Sequence, residues 1–101
     1  MTYVSEFEDI DLAGLTPSLA VPVEVATSEQ AIAFERDYLE KRFGAYGVRW
    51  QLVFQSLSPS GKRWLDHLHI VVDGQRLCIY FDVTKAIEKQ TVTASFRREI
   101  C

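Results

Sequence analysis

Residues 63–83 read RWLDHLHIVVDGQRLCIYFDV, two alternating runs of apolar side chains separated by Asp73-Gly74. Asp-Gly between such runs is a strong hairpin signal. A type I′ turn needs positive φ at both central residues and matches the twist of the flanking strands. With Asp73 and Gly74 at the turn, register follows by counting outward. Val72 faces Gln75, Ile70 faces Leu77, Leu68 faces Ile79, Asp66 faces Phe81 and Trp64 faces Val83. Side chains alternate with period 2, so the opposite face carries Val71 against Arg76, His69 against Cys78, His67 against Tyr80 and Leu65 against Asp82. The first face is apolar and must pack on something. The second is free to meet water, a ligand or a partner.

Upstream, VRWQLVFQSLS (residues 48–58) alternates again, and Pro59-Ser60-Gly61-Lys62 turns the chain into the hairpin. Strict alternation predicts Val48, Trp50, Leu52 and Phe54 on the apolar side, with Arg49, Gln51, Val53 and Gln55 opposite. Before this strand, Thr27-Ser28-Glu29-Gln30 has the form of a capping box, so a helix is predicted from Ser28 to about Phe43, closed by Gly44. Its apolar arc contains Ala31, Ile32, Phe34, Tyr38, Leu39 and Phe43, yet Glu35 and Arg42 project near its middle. The expected resolution is that both stems lie over the sheet and both heads reach water; the alternative is a buried carboxylate with a perturbed pKa beside a cleft.

The segment VPVEVA (21–26) reads as a strand, and Pro22 points to a sheet edge because it lacks a ladder donor. After the hairpin, either Asp82 or Thr84 can cap a short helix, KAIEKQ, and 91–96 (TVTASF) alternates as a last edge strand. The fold class expected is therefore α+β, a two-layer sandwich: an antiparallel β-meander of three or more strands, one main helix on one face, and a short second helix. The domain reading is an acidic N-terminal arm over 1–20 and a single domain over 21–101. The arm holds Glu6, Glu8, Asp9 and Asp11 with no Lys or Arg, mixed with Phe7, Ile10, Leu12, Leu15 and Leu19. It is expected to pack on the body, the alternative being a docking segment that orders on a partner.

At 101 residues and 48% apolar side chains the chain can build one core without disulfides. Outside the arm, ten acidic residues remain against all 11 basic ones, a near-neutral balance that suits nucleic acid poorly. The nucleic-acid alternative would rest on Lys85, Lys89, Arg97 and Arg98. Cys78 and Cys101 form neither a disulfide framework nor a C-x-x-C pair. With no signal-peptide pattern at the start and no run of apolar residues long enough to cross a bilayer, the expectation is a cytoplasmic protein with no membrane contact.

One constellation has chemical content. His67-x-His69 places two imidazoles on one strand face, roughly 6 to 7 Å apart at Cβ, a spacing compatible with chelation. Cys78 lies opposite His69 and would add a third metal ligand; a fourth is missing unless Asp66 or Asp82 changes face. A Cys78–His69 nucleophilic pair lacks a residue to orient the imidazole and an oxyanion site. Asp66, on the apolar face, is expected near the sheet margin or paired to Arg42. Phosphate loops, nucleophile elbows and zinc-protease motifs are absent, which points away from catalysis without excluding it, and no cofactor is expected.

The function expected from these residues is a small non-catalytic protein–protein interaction module: an inhibitor, an adaptor or a self-associating subunit. Its partner-binding surface would be Arg49, Gln51, Gln55, His67, His69, Arg76 and Tyr80, whose mixture of aromatic, Arg and His side chains resembles an interface. The alternative is a metal- or small-ligand-binding protein, or a minor enzyme, centred on His67, His69 and Cys78. A protein partner is expected, nucleic acid is not, and self-pairing into a homodimer follows from the exposed sheet edge.

Overall fold

A computed structural model describes residues 12–88 of the chain. Their elements are, in order, a 3-10 turn Pro17–Leu19, β1 Val21–Pro22, α1 Ser28–Phe43, β2 Trp50–Ser60, β3 Arg63–Val72, β4 Gln75–Asp82 and the start of α2 at 84–88. The expected strand at 91–96 and the basic residues Lys89, Arg97 and Arg98 lie outside the described residues, as does most of the acidic arm.

The hairpin has the register counted from Asp73-Gly74: His67 pairs Tyr80, His69 pairs Cys78, Leu68 pairs Ile79 and Asp66 pairs Phe81. Asp73 has φ 50° and Gly74 φ 82°, the two positive values a type I′ turn demands. Trp64 continues the pairing by accepting a hydrogen bond from Val83 N at 2.9 Å. β2 pairs antiparallel with β3 across a two-residue turn, Gly61-Lys62, whose Gly61 takes φ 63°.

The four strands lie in the order β1-β4-β3-β2, with β1 parallel to β4. The sheet is thus mixed, a meander with one parallel edge strand. β1 is shorter than the six residues expected: Pro22 supplies no donor, and after Val23 N bonds Asp82 O the chain turns toward α1.

α1 begins where Thr27 accepts from Gln30 N at 3.1 Å, and the Gln30 side chain answers by accepting from Ala26 N. It ends at Gly44, whose φ of 104° a residue with Cβ would resist. One side of the helix packs on the inner face of the sheet, and Leu39, Ile70, Ile79 and Phe81 are fully buried. Each such side chain contributes roughly 1.5–3 kcal/mol. The Tyr38 ring meets Phe81 edge-on, with centroids 5.5 Å apart.

Two features depart from simple alternation. β2 carries a bulge at Val53: Leu52 pairs Ile70, yet Phe54 pairs the adjacent His69. The extra residue shifts everything after it to the other face. Phe54, expected inside, stands on the outer face 58% exposed; Gln55, expected outside, turns to the inner face and donates to Asp66 Oδ2 at 2.7 Å. Val48 is likewise exposed, because it belongs to the turn before β2.

The second departure concerns Glu35, which lies on the buried stripe Ala31–Glu35–Leu39 at 2% exposure instead of reaching water. Its neighbour is Asp66, 6% exposed. Arg42 is not Asp66's partner; it donates to Ala13 O at 2.7 Å and to Tyr38 Oη at 3.1 Å. Residues 12–20 lie against the body: Gly14 O accepts from Tyr80 N, and Ala13 and Leu15 pack on the core. α2 starts behind Asp82, which accepts from Thr84 N at 3.0 Å, so Asp82 takes the capping role.

Candidate functional site

The outer face of the sheet is organised in rows that cross β2, β3 and β4. Nearest the Asp73-Gly74 turn stand Gln51, Val71 and Arg76; next come Phe54, His69 and Cys78; then Ser56, His67 and Tyr80; then Ser58, Leu65 and Asp82. The two central rows hold the chemistry. The Phe54 ring lies 5.4 Å from the His69 imidazole, and the Tyr80 ring 4.6 Å from His67, edge to face. These aromatic neighbours restrict both imidazoles.

His69 Nε2 lies 3.9 Å from Cys78 Sγ, and His67 Nε2 lies 3.0 Å from Ser58 Oγ. One ligand atom from each of His67, His69 and Cys78 can be chosen so that all three fall within 4.8 Å of one another. All three residues are half-buried. Burial pushes the Cys78 thiol up, and its hydrogen bond with Tyr80 works in the opposite direction. That same hydrogen bond is the main cause of the raised Tyr80 pKa. A cavity of about 250 Å³ opens beside Cys78, walled also by Val53, His69, Arg76 and Leu77.

The residues expected to form one partner surface therefore separate. His67, His69 and Tyr80 stand together with Cys78. Gln51 and Arg76 are exposed one row away. Arg49 lies at the turn end, 3.5 Å from Asp73 in an exposed ion pair. Gln55 leaves this face of the sheet because of the Val53 bulge, while staying exposed on the other. Two residues join the site that alternation did not place there, Phe54 through the bulge and Ser58 through its diagonal reach to His67.

On the inner face, Glu35 and Asp66 form a second constellation, each foreseen singly but not as a pair. Burial is the chief cause pushing the Glu35 carboxyl up to about 10, followed by its hydrogen bond with Asp66 and the charge there. Glu35 Oε2 and Asp66 Oδ1 have no donor from any other described side chain. A proton held on Glu35 supplies the hydrogen bond that these two oxygens lack. Cavities of about 40 and 150 Å³ flank the pair, the larger walled by Ala31, Leu57, Val83 and Ala86.

Among the described residues no helix is long and apolar enough to cross a membrane. Comparison with protein families, curated proteins and solved structures finds no match to this chain.

Proposed function

We propose that this chain is a small non-catalytic interaction module, a self-associating subunit that pairs through the free edge of β2. What supports the reading is the chemistry of that edge. In the strand order β1-β4-β3-β2, β2 has no strand on its outer side among the described residues. Its eleven residues, WQLVFQSLSPS, contain no charged side chain. Natural sheet edges are normally protected by Lys, inward-pointing charges or coverage. Here the bulge at Val53 and the missing donor of Pro59 interrupt the edge, leaving Phe54–Ser58 as an unbroken run between them. Phe54 and Leu57 are exposed within it.

A second copy of the chain suits this edge. Two β2 strands related by a two-fold axis run antiparallel, present identical surfaces and bring no like charges together. Side chains of β2 on the outer face, Gln51, Phe54 and Ser56, would border the contact and set its specificity. Sedimentation as a function of protein concentration tests the proposal. A monomer–dimer equilibrium abolished by Phe54→Lys with Leu57→Lys, in variants that keep their melting temperature, is the expected result. A wild-type chain that stays monomeric up to millimolar concentration would overturn it.

A further inference from the structure

His67 and His69 are the two histidines of the whole chain, and β3 sets both on the same face as Cys78. Two imidazoles and a thiol on adjacent strands have an ordinary explanation, since polar side chains populate solvated sheet faces and a half-buried cysteine commonly packs as a small hydrophobe. Three details go beyond it. The ligand atoms converge to within 4.8 Å of one another, with His69 Nε2 and Cys78 Sγ at 3.9 Å. Zinc–nitrogen bonds near 2.0–2.1 Å and zinc–sulfur bonds near 2.3 Å at tetrahedral angles put ligand atoms roughly 3.3–3.7 Å apart. Small rotations of half-buried rings close the remaining gap.

Secondly, the candidate ligands have outer partners. The Ser58 hydroxyl holds His67 Nε2 at 3.0 Å, and a ring that gives Nε2–H to Ser58 presents Nδ1 as its bare lone pair. The Tyr80 ring, 4.6 Å from the His67 imidazole, and the Phe54 ring, 5.4 Å from that of His69, limit the swing of both imidazoles on this face. Thirdly, the cavity of about 250 Å³ beside Cys78 leaves room for one more ligand. Arg76 on its wall opposes a bare cation, but one thiolate offsets part of the metal's charge and the guanidinium favours an anion or hydroxide in the open position.

We propose that His67, His69 and Cys78 bind a single zinc-class divalent ion, the fourth coordination position opening into the cavity beside Arg76. Two neutral imidazoles and one thiolate form a borderline-to-soft ligand set, which selects zinc, cobalt or copper over magnesium or calcium. The site does not depend on the β2 edge contact, and its test reads a different property.

The experiment is titration of the untagged full chain with Zn²⁺ by calorimetry and with Co²⁺ by absorption, alongside thermal melts. The expected result is one ion per chain, a sulfur-to-cobalt charge-transfer band, and a rise in melting temperature on the order of 10 °C at a hundredfold excess over Kd. Cys78→Ser should remove the charge-transfer band. His67→Ala with His69→Ala should remove saturable binding, and Ser58→Ala should weaken it about tenfold. Cys101→Ser should bind like wild type, which separates this site from the second thiol. Circular dichroism of each variant confirms that it folds, and Cys78→Ser, nearly isosteric, serves if the double alanine variant does not. No saturable binding by wild type, binding that survives loss of both histidines in a folded variant, or a charge-transfer band that follows Cys101 in place of Cys78 would overturn the proposal.

Discussion

Glu35 of α1 and Asp66 of β3 face each other inside the domain, two carboxyl groups at 2% and 6% exposure between helix and sheet. Two buried carboxylates would repel each other and lose their hydration, so one must hold a proton. Gln55 has already given its amide hydrogen to Asp66 Oδ2. The remaining unpartnered atoms, Glu35 Oε2 and Asp66 Oδ1, are satisfied when Glu35 is the donor.

Stability should therefore fall as pH rises. The folded-state pKa of Glu35 is raised from its ordinary 4.5 to about 10, so the folded protein binds the proton more tightly than the unfolded chain does. The contribution of this group is fully present below about pH 4.5 and declines progressively toward pH 10. Glu35→Gln keeps a donor for Asp66 without the titration. Its melting temperature should match wild type near pH 4 and exceed it at pH 8 to 9, by roughly 1–3 kcal/mol in stability. A wild-type melting profile that rises from pH 5 to pH 9 would contradict the protonated pair.

The bulge at Val53 makes opposite predictions for two aromatic residues of one strand. Trp50 is 3% exposed and donates through Nε1 to Gly44 O at 2.8 Å, so Trp50→Ala should cost about 3–5 kcal/mol. Phe54 is 58% exposed, and Phe54→Ala should cost less than about 1 kcal/mol. Urea unfolding of both variants checks this. Equal losses would mean that strict alternation, with Phe54 inside, is the true arrangement.

Gly14 and Gly47 separate steric crowding from backbone conformation. Both have positive φ, 78° and 84°. A Cβ on Gly14 would stand 2.7 Å from Ile79 Cγ2, whereas one on Gly47 would meet nothing within 4 Å. Gly47→Ala should lose about 1 kcal/mol for conformation alone. Gly14→Ala should lose more, about 2–4 kcal/mol, because the backbone strain is joined by overpacking beside a fully buried side chain. Chemical denaturation of the two variants under identical conditions gives the difference.

Thr27 is the cap on which α1 starts, and Thr27→Ala should destabilise the protein by about 1 kcal/mol. Thr27→Asp, which also accepts from Gln30 N and favours the positive end of the helix dipole, should recover that loss. Thermal melts of the two variants at neutral pH provide the comparison.

Local chemistry was enough to read the hairpin, its register and the helix limits. Asp73-Gly74 admits the I′ turn, and period-2 alternation then ties His67 to Tyr80 and His69 to Cys78. Thr27 and Gly44 mark the ends of α1 because the unpaired groups of a helix terminus are satisfied by nearest neighbours in the chain. The outer cluster of His67, His69, Cys78 and Tyr80 is legible for the same reason, being a consequence of register alone.

Other features depend on contacts distant in sequence. A bulge adds a residue without any composition signature, so Phe54 and Gln55 exchange faces unannounced by WQLVFQ. The amphipathic arc of α1 showed that Glu35 sits amid apolar neighbours, but whether its head reaches water depends on how closely the helix lies on β3 and on what faces it there. The parallel placement of β1 beside β4 also depends on packing, since Val21–Pro22 could serve either edge. The sequence by itself determined turn chemistry, helix limits and hairpin register, because these arise from interactions within a few residues or from counting outward from a turn. Only the tertiary structure decided which carboxyl is buried against which and which aromatic side chain of β2 faces outward, because those follow from the packing of whole surfaces, where one inserted residue or one close approach reverses the outcome.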